Sequence, residues 1–156
     1  MLVVALTAYL FVKFLHVLLA IIAVGFNATY GLLLSRAARE PEHQAHVLES
    51  VRFLDTRVAN PAYGLLLVTG LTMVWLGHVD LAQFWLATAL VLYLLAAILG
   101  VVVYAPVVRA EAAALEEHGP TSAEYRRLSS RGAMLGAIVG IDVVVIVFLM
   151  VTKPTF

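Results

Sequence analysis

Hydrophobic positions in this chain fall in long blocks instead of alternating with polar ones. Residues 2–34 are apolar almost without a break, interrupted chiefly by Lys13 and, one helical turn later, by His16. Three further blocks follow at about residues 61–77, 84–108 and 132–151, so with residues 10–34 the chain carries four. A bilayer's hydrocarbon layer is crossed by roughly 20 residues at about 1.5 Å rise each, with tilt absorbing the surplus. Inside lipid the backbone must satisfy itself, which leaves helices or closed barrels, and blocks this long predict helices. The expected fold class is therefore all-α: one polytopic four-helix transmembrane bundle with helical extensions. The first block is expected to be a retained span, because no basic region or small-residue cleavage site precedes it.

Between the blocks lie polar stretches at residues 35–60 and 109–131 and a short turn at residues 78–83. The two long stretches hold Arg36, Arg39, Arg52 and Arg57, and Arg109, Arg126, Arg127 and Arg131. The other side offers only Lys153 and, at its boundary, Lys13. The positive-inside rule then places both long stretches in the cytoplasm and both termini outside. Tyr9, Trp75, Phe84 and Trp85 fall at the outer interface, where amphipathic rings sit well. The polar stretches carry helix signals of their own. Pro41 followed by Glu42 suits a first turn, and Thr121 with Glu124 matches a capping box with Thr121 as N-cap. His118-Gly119-Pro120 is a helix stop, so spans three and four should extend from the membrane as a helical hairpin.

Composition agrees: 63% of residues are hydrophobic, 13% are charged, and mean hydropathy is +0.99. The balance of ten basic and ten acidic residues argues against nucleic acid as a partner. There is no cysteine, which excludes disulfides, thiolate metal sites and iron–sulfur clusters. A bound metal would need His, Met, carboxylate or a cofactor's own ring.

Ionisable groups within spans are costly and count as functional candidates. His16 and His78 are expected level with each other near the outer boundary, on antiparallel neighbouring helices, with Asp80 close by. Two imidazoles at one depth grip a haem iron, with Lys13 pairing a propionate; alternatively His16, His78 and Asp80 hold copper or zinc. In the blander alternative His78 is an interfacial loop residue. A second polar set is expected near mid-membrane: Asn27, Thr69, Thr72, Tyr93 and Asp142. It serves a proton relay, a cationic partner, or helix packing alone. Gly132, Gly136 and Gly140 form a ladder that lets another helix approach closely. His43, His46, Glu42 and Glu49 share a helical face best explained by solvation.

Lys13-Phe14-Leu15-His16-Val17-Leu18 resembles the first-helix motif of small four-span bacterial membrane proteins. These include an uncharacterised group of predicted integral membrane proteins, the copper-resistance D domain, and HemJ-type protoporphyrinogen oxidases. Asn60-Pro61-Ala62, Thr69-Gly70 and Thr152-Lys153-Pro154 are similar to the same broad group, and the uncharacterised members resemble the chain most. The HemJ resemblance implies haem b, protoporphyrinogen oxidation and an essential first-helix histidine, here His16. HemJ-like proteins place a tryptophan before a glycine after that histidine, whereas this chain has Ile22-Ala23-Val24-Gly25. Their third helix carries lysine and histidine, and residues 84–108 contain neither. The resemblance therefore implies a haem or metal site at His16 more than it implies porphyrinogen chemistry.

Two function classes follow. One is a haem- or metal-binding redox protein with its cofactor near the outer face. The other is a non-catalytic accessory or assembly subunit of a membrane complex, or a homodimer, docked through the glycine ladder. A transporter built around Asp142 is a third possibility, with no inverted repeat or broken helix to support it.

Overall fold

The computed structural model describes residues 2–37 and 39–154. Every regular element among them is helical: α1 (Leu2–Ala37), α2 (Pro41–Leu54), α3 (Asn60–Gly77), α4 (Phe84–Ile98), α5 (Ala105–His118) and α6 (Ala123–Thr152). Between α2 and α3, and again between α4 and α5, the chain continues as a π-helical turn, over Asp55–Ala59 and Leu99–Tyr104. Each turn is followed within two residues by a proline, Pro61 or Pro106. A proline ring clashes with the carbonyl four residues earlier, here that of Arg57 or Val102. Both carbonyls belong to the widened turns, and widening relieves the clash without breaking the helix. The described residues thus form four long helical rods, each with a stretch apolar enough to cross a membrane. This is the four-helix transmembrane class expected. Large side chains such as Phe11, Ile21, Trp75, Val101 and Phe148 face outward, more than half exposed. In water that would be an aggregation surface; in a bilayer it is the lipid contact.

The chain divides into two compact units. One joins residues up to Tyr30 with Ser50–Leu81; the other joins Gly31–Glu49 with the residues from Ala82 onward. In the first unit α1 and α3 meet in one antiparallel register. Gly77 lies against Tyr9, Gly70 against His16, and the Tyr63 hydroxyl reaches the Ala23 carbonyl at 3.5 Å. Positions 9, 16 and 23 step by seven along α1, and 77, 70 and 63 step by seven back along α3. A seven-residue step keeps one seam facing its partner when two helices pack at a shallow angle.

In the second unit the rod formed by α4 and α5 packs on α6. Lys153 lies 5.1 Å above the Trp85 ring at one end. Further along, Gly136 faces Tyr104 and Gly132 faces Glu111. The α5–α6 hairpin turns at Gly119, whose φ of 77° with ψ of 171° is an extended positive-φ conformation that glycine adopts and side-chain-bearing residues avoid. The cap of α6 falls one residue later than its sequence signature indicates: Ser122, not Thr121, accepts the Tyr125 N–H at 3.2 Å. A serine is as good an N-cap as a threonine, so turn geometry decides between the two.

Candidate functional site

His16 is the residue around which the first unit's polar groups gather. Its Nδ1 lies 2.9 Å from the Thr69 hydroxyl oxygen. That hydroxyl has one proton and three acceptors in reach: Leu65 O at 2.8 Å, Leu66 O at 3.1 Å and His16 Nδ1. When the hydroxyl bonds its own helix, Nδ1 donates to Thr69 and Nε2 is left without a hydrogen. The ring also hydrogen-bonds the Leu66 backbone. Gly70 completes the seat. A Cβ there would stand 3.2 Å from His16 Cε1, tighter than ordinary contact, so the ring lies directly on the α3 backbone. Thr69 and Gly70 act as a pair, one orienting the ring and the other leaving room for it.

One helical turn before His16, Lys13 is exposed on α1. Eleven residues further along α1 than His16, Asn27 donates to the Tyr63 hydroxyl at 2.7 Å and to the Ala23 carbonyl at 3.0 Å. Thr72 spends its hydroxyl on the Val68 carbonyl of its own helix, at 2.8 Å. Of the mid-membrane set, then, Thr69 joins His16, Asn27 joins Tyr63, and Thr72 joins neither.

The seven-step register puts Gly70 beside His16 and Gly77 beside Tyr9. His78 follows Gly77 and so lies about 12 Å along α3 from the level of His16. The two histidines are not level as residue counting indicated, because counting from the ends of the apolar blocks ignores how the helices slide to seat Tyr9 and His16 on glycines. His78 is exposed and closes α3 in the left-handed conformation, φ 48° and ψ 38°, its N–H turned back to the last carbonyls of the helix. Asp80 is exposed in the following turn. Among the described residues no three His, Asp or Glu side chains converge as a metal-holding group. As a donor set, the residues fit one neutral imidazole ligand at His16, presented by Nε2 and braced through Nδ1 as metal-binding histidines commonly are.

Tyr93 and Asp142 belong to the second unit. Tyr93 is half-buried, and the Asp142 Oδ2 is buried with no hydrogen-bond partner. That unit holds a polar cluster which no sequence motif marked. Gln44 donates to the Tyr125 hydroxyl, Ser129 hydrogen-bonds both Tyr125 and Glu111, and the Glu111 carboxylate lies against Gly132. Burial in this hairpin raises the Glu111 carboxyl above the usual glutamate range, and the Ser129 hydrogen bond offsets that in part. The signal available was Glu111 lying three residues from Ala114 on a helix whose other charges, Arg109, Glu116 and Glu117, face outward.

The glycine ladder is used unevenly. Gly132 and Gly136 are covered by Glu111 and Tyr104 of the same chain, while a Cβ at Gly140 would meet nothing within 4 Å.

No curated protein and no solved structure matches the chain. A family model described as predicted integral membrane protein (DUF2269) matches residues 10–154, which include all four apolar blocks and the whole His16–Thr69–Gly70 seat. The chain therefore belongs to the DUF2269 family of integral membrane proteins.

Proposed function

We propose that this protein is a bacterial inner-membrane redox protein that binds haem b, or alternatively copper, through the Nε2 of His16. The observation that carries the reading is the His16 Nδ1–Thr69 hydrogen bond, in a seat that Gly70 leaves open for the ring. A ligand histidine is braced through its second nitrogen, which sets ring orientation and basicity. The bound group would supply electron chemistry; the chain supplies the ligand, its orientation and an apolar surround. Lys13, one turn nearer the α1 start, is the cation for a propionate or another anion. The arginine distribution favours both termini on the periplasmic side.

The test is the visible spectrum and metal content of protein purified from haem- and copper-replete cells. The expected result is a Soret band, or stoichiometric copper, that is lost in His16→Ala and perturbed in Thr69→Val. Wild-type protein without absorbance or metal ends the reading, as does a spectrum unchanged in His16→Ala.

The second reading is a non-catalytic subunit of a membrane complex, and the open face at Gly140 favours it. On that reading Gly140→Leu separates the protein from its complex, while Gly132→Leu acts instead on the chain's own hairpin.

A further inference from the structure

We propose that Arg127 and Arg131 bind the phosphate of an anionic phospholipid headgroup at the foot of α6. The two arginines are four residues apart and therefore share one face of α6. Together with Ala123, Glu124 and Leu128 they line an open cleft of about 510 Å³. Both side chains are exposed, and among the described residues neither guanidinium has an ion-pair or hydrogen-bond partner. The one acid in the cleft, Glu124, stands 4.0 Å from His118 Nδ1, so the cleft keeps a net positive charge.

Depth supports a lipid ligand. The apolar block of α6 begins at Gly132, and α6 runs unbroken through that point. At about 1.5 Å per residue, Arg131 lies about 1.5 Å and Arg127 about 7.5 Å outside the hydrocarbon edge. A headgroup layer is roughly 5–7 Å thick on each side, so the two guanidiniums bracket the plane of the phosphates. Arginine's planar fork matches phosphate oxygens bidentately, and Leu128 in the same cleft suits the start of an acyl chain. A second cleft, lined by Leu32, Ser35, Arg36 and Arg39, is the weaker candidate, because Glu40 already stands 3.8 Å from the Arg36 guanidinium.

Native mass spectrometry of the detergent-purified full chain tests this with added phosphatidylglycerol or phosphatidylcholine. Wild-type protein should retain phosphatidylglycerol several-fold more than phosphatidylcholine. Arg127→Gln/Arg131→Gln should bring the two to parity, and Arg39→Gln should leave the preference intact. The single variants Arg127→Gln and Arg131→Gln, each expected to weaken retention, keep the test decisive should the double variant fail to fold. Equal retention of both lipids by wild-type protein overturns the proposal, as does a preference that survives the double variant. Displacement of phosphatidylglycerol by millimolar inorganic phosphate also overturns it, since the site would then serve a soluble anion.

Discussion

The imidazole of His16 lies directly on the backbone of Gly70, so close that a Cβ added there would stand 3.2 Å from Cε1. One rung along the same seam, a Cβ at Gly77 would come within 3.1 Å of the Tyr9 ring. Both glycines are holes for large rings on the facing helix, and the register of α1 on α3 depends on them.

Gly70→Ala asks the ring to give by a few tenths of an ångström and should be nearly neutral. Gly70→Leu has no such room. Overpacking of this kind costs about 1–3 kcal/mol, so its melting temperature in detergent should fall, together with any cofactor absorbance. A Gly70→Leu protein as stable as the wild type would show that His16 does not rest on α3.

His78 holds a left-handed backbone conformation that costs a side-chain-bearing residue about 1–2 kcal/mol and glycine almost nothing. His78→Gly should therefore raise stability by about 1 kcal/mol and leave absorbance or metal content unchanged. Loss of the cofactor in this variant would restore His78 as a ligand and contradict the register.

Glu111 predicts a pH dependence of the α5–α6 hairpin. Its carboxyl is raised by burial, so the folded state prefers the protonated form. That contribution is fully present below the ordinary glutamate range and is lost as pH rises through the raised value. The groups facing Glu111 are Ser129 and Tyr125, with Gln44 behind Tyr125. Wild-type stability should thus decline from mildly acidic toward neutral pH, and Glu111→Gln should flatten that slope. An unchanged slope, followed by thermal melts across pH, would remove Glu111 as its source. Gly132→Leu, whose Cβ alone would stand 3.1 Å from Glu111 Oε2, should destabilise at every pH.

Asp142 tests whether an intramembrane carboxyl is kept for stability or for use. Its Oδ2 is buried with no hydrogen-bond partner, and an unsatisfied buried polar group costs about 1–3 kcal/mol. Asp142→Val should accordingly raise the melting temperature. A drop instead would mean that the carboxyl has a partner which holds the second unit together.

Fold class was legible without coordinates because lipid imposes one simple rule: a long apolar block must be a helix. The hairpin beyond the membrane was legible for a local reason, the stop at Gly119 and the cap before Glu124. The seat of His16 was half legible. Tyr63, Gly70 and Gly77 are visible in the sequence at seven-residue steps, and so are Tyr9, His16 and Ala23. Matching one list to the other requires knowing how far α1 slides along α3, and counting from block ends set His78 where Gly70 belongs.

Taken alone, the sequence determined four spanning helices, their polar connections and the identity of the costly intramembrane groups, since each follows from hydropathy and near-neighbour chemistry along one helix. Only the tertiary structure decided which groups meet. It gave His16 to Thr69 and Gly70, gave Gly132 to Glu111, and set Arg127 and Arg131 together in one open cleft. Those pairings depend on rotation and translation between helices, which are set by ring-into-glycine packing across a distance no local pattern encodes.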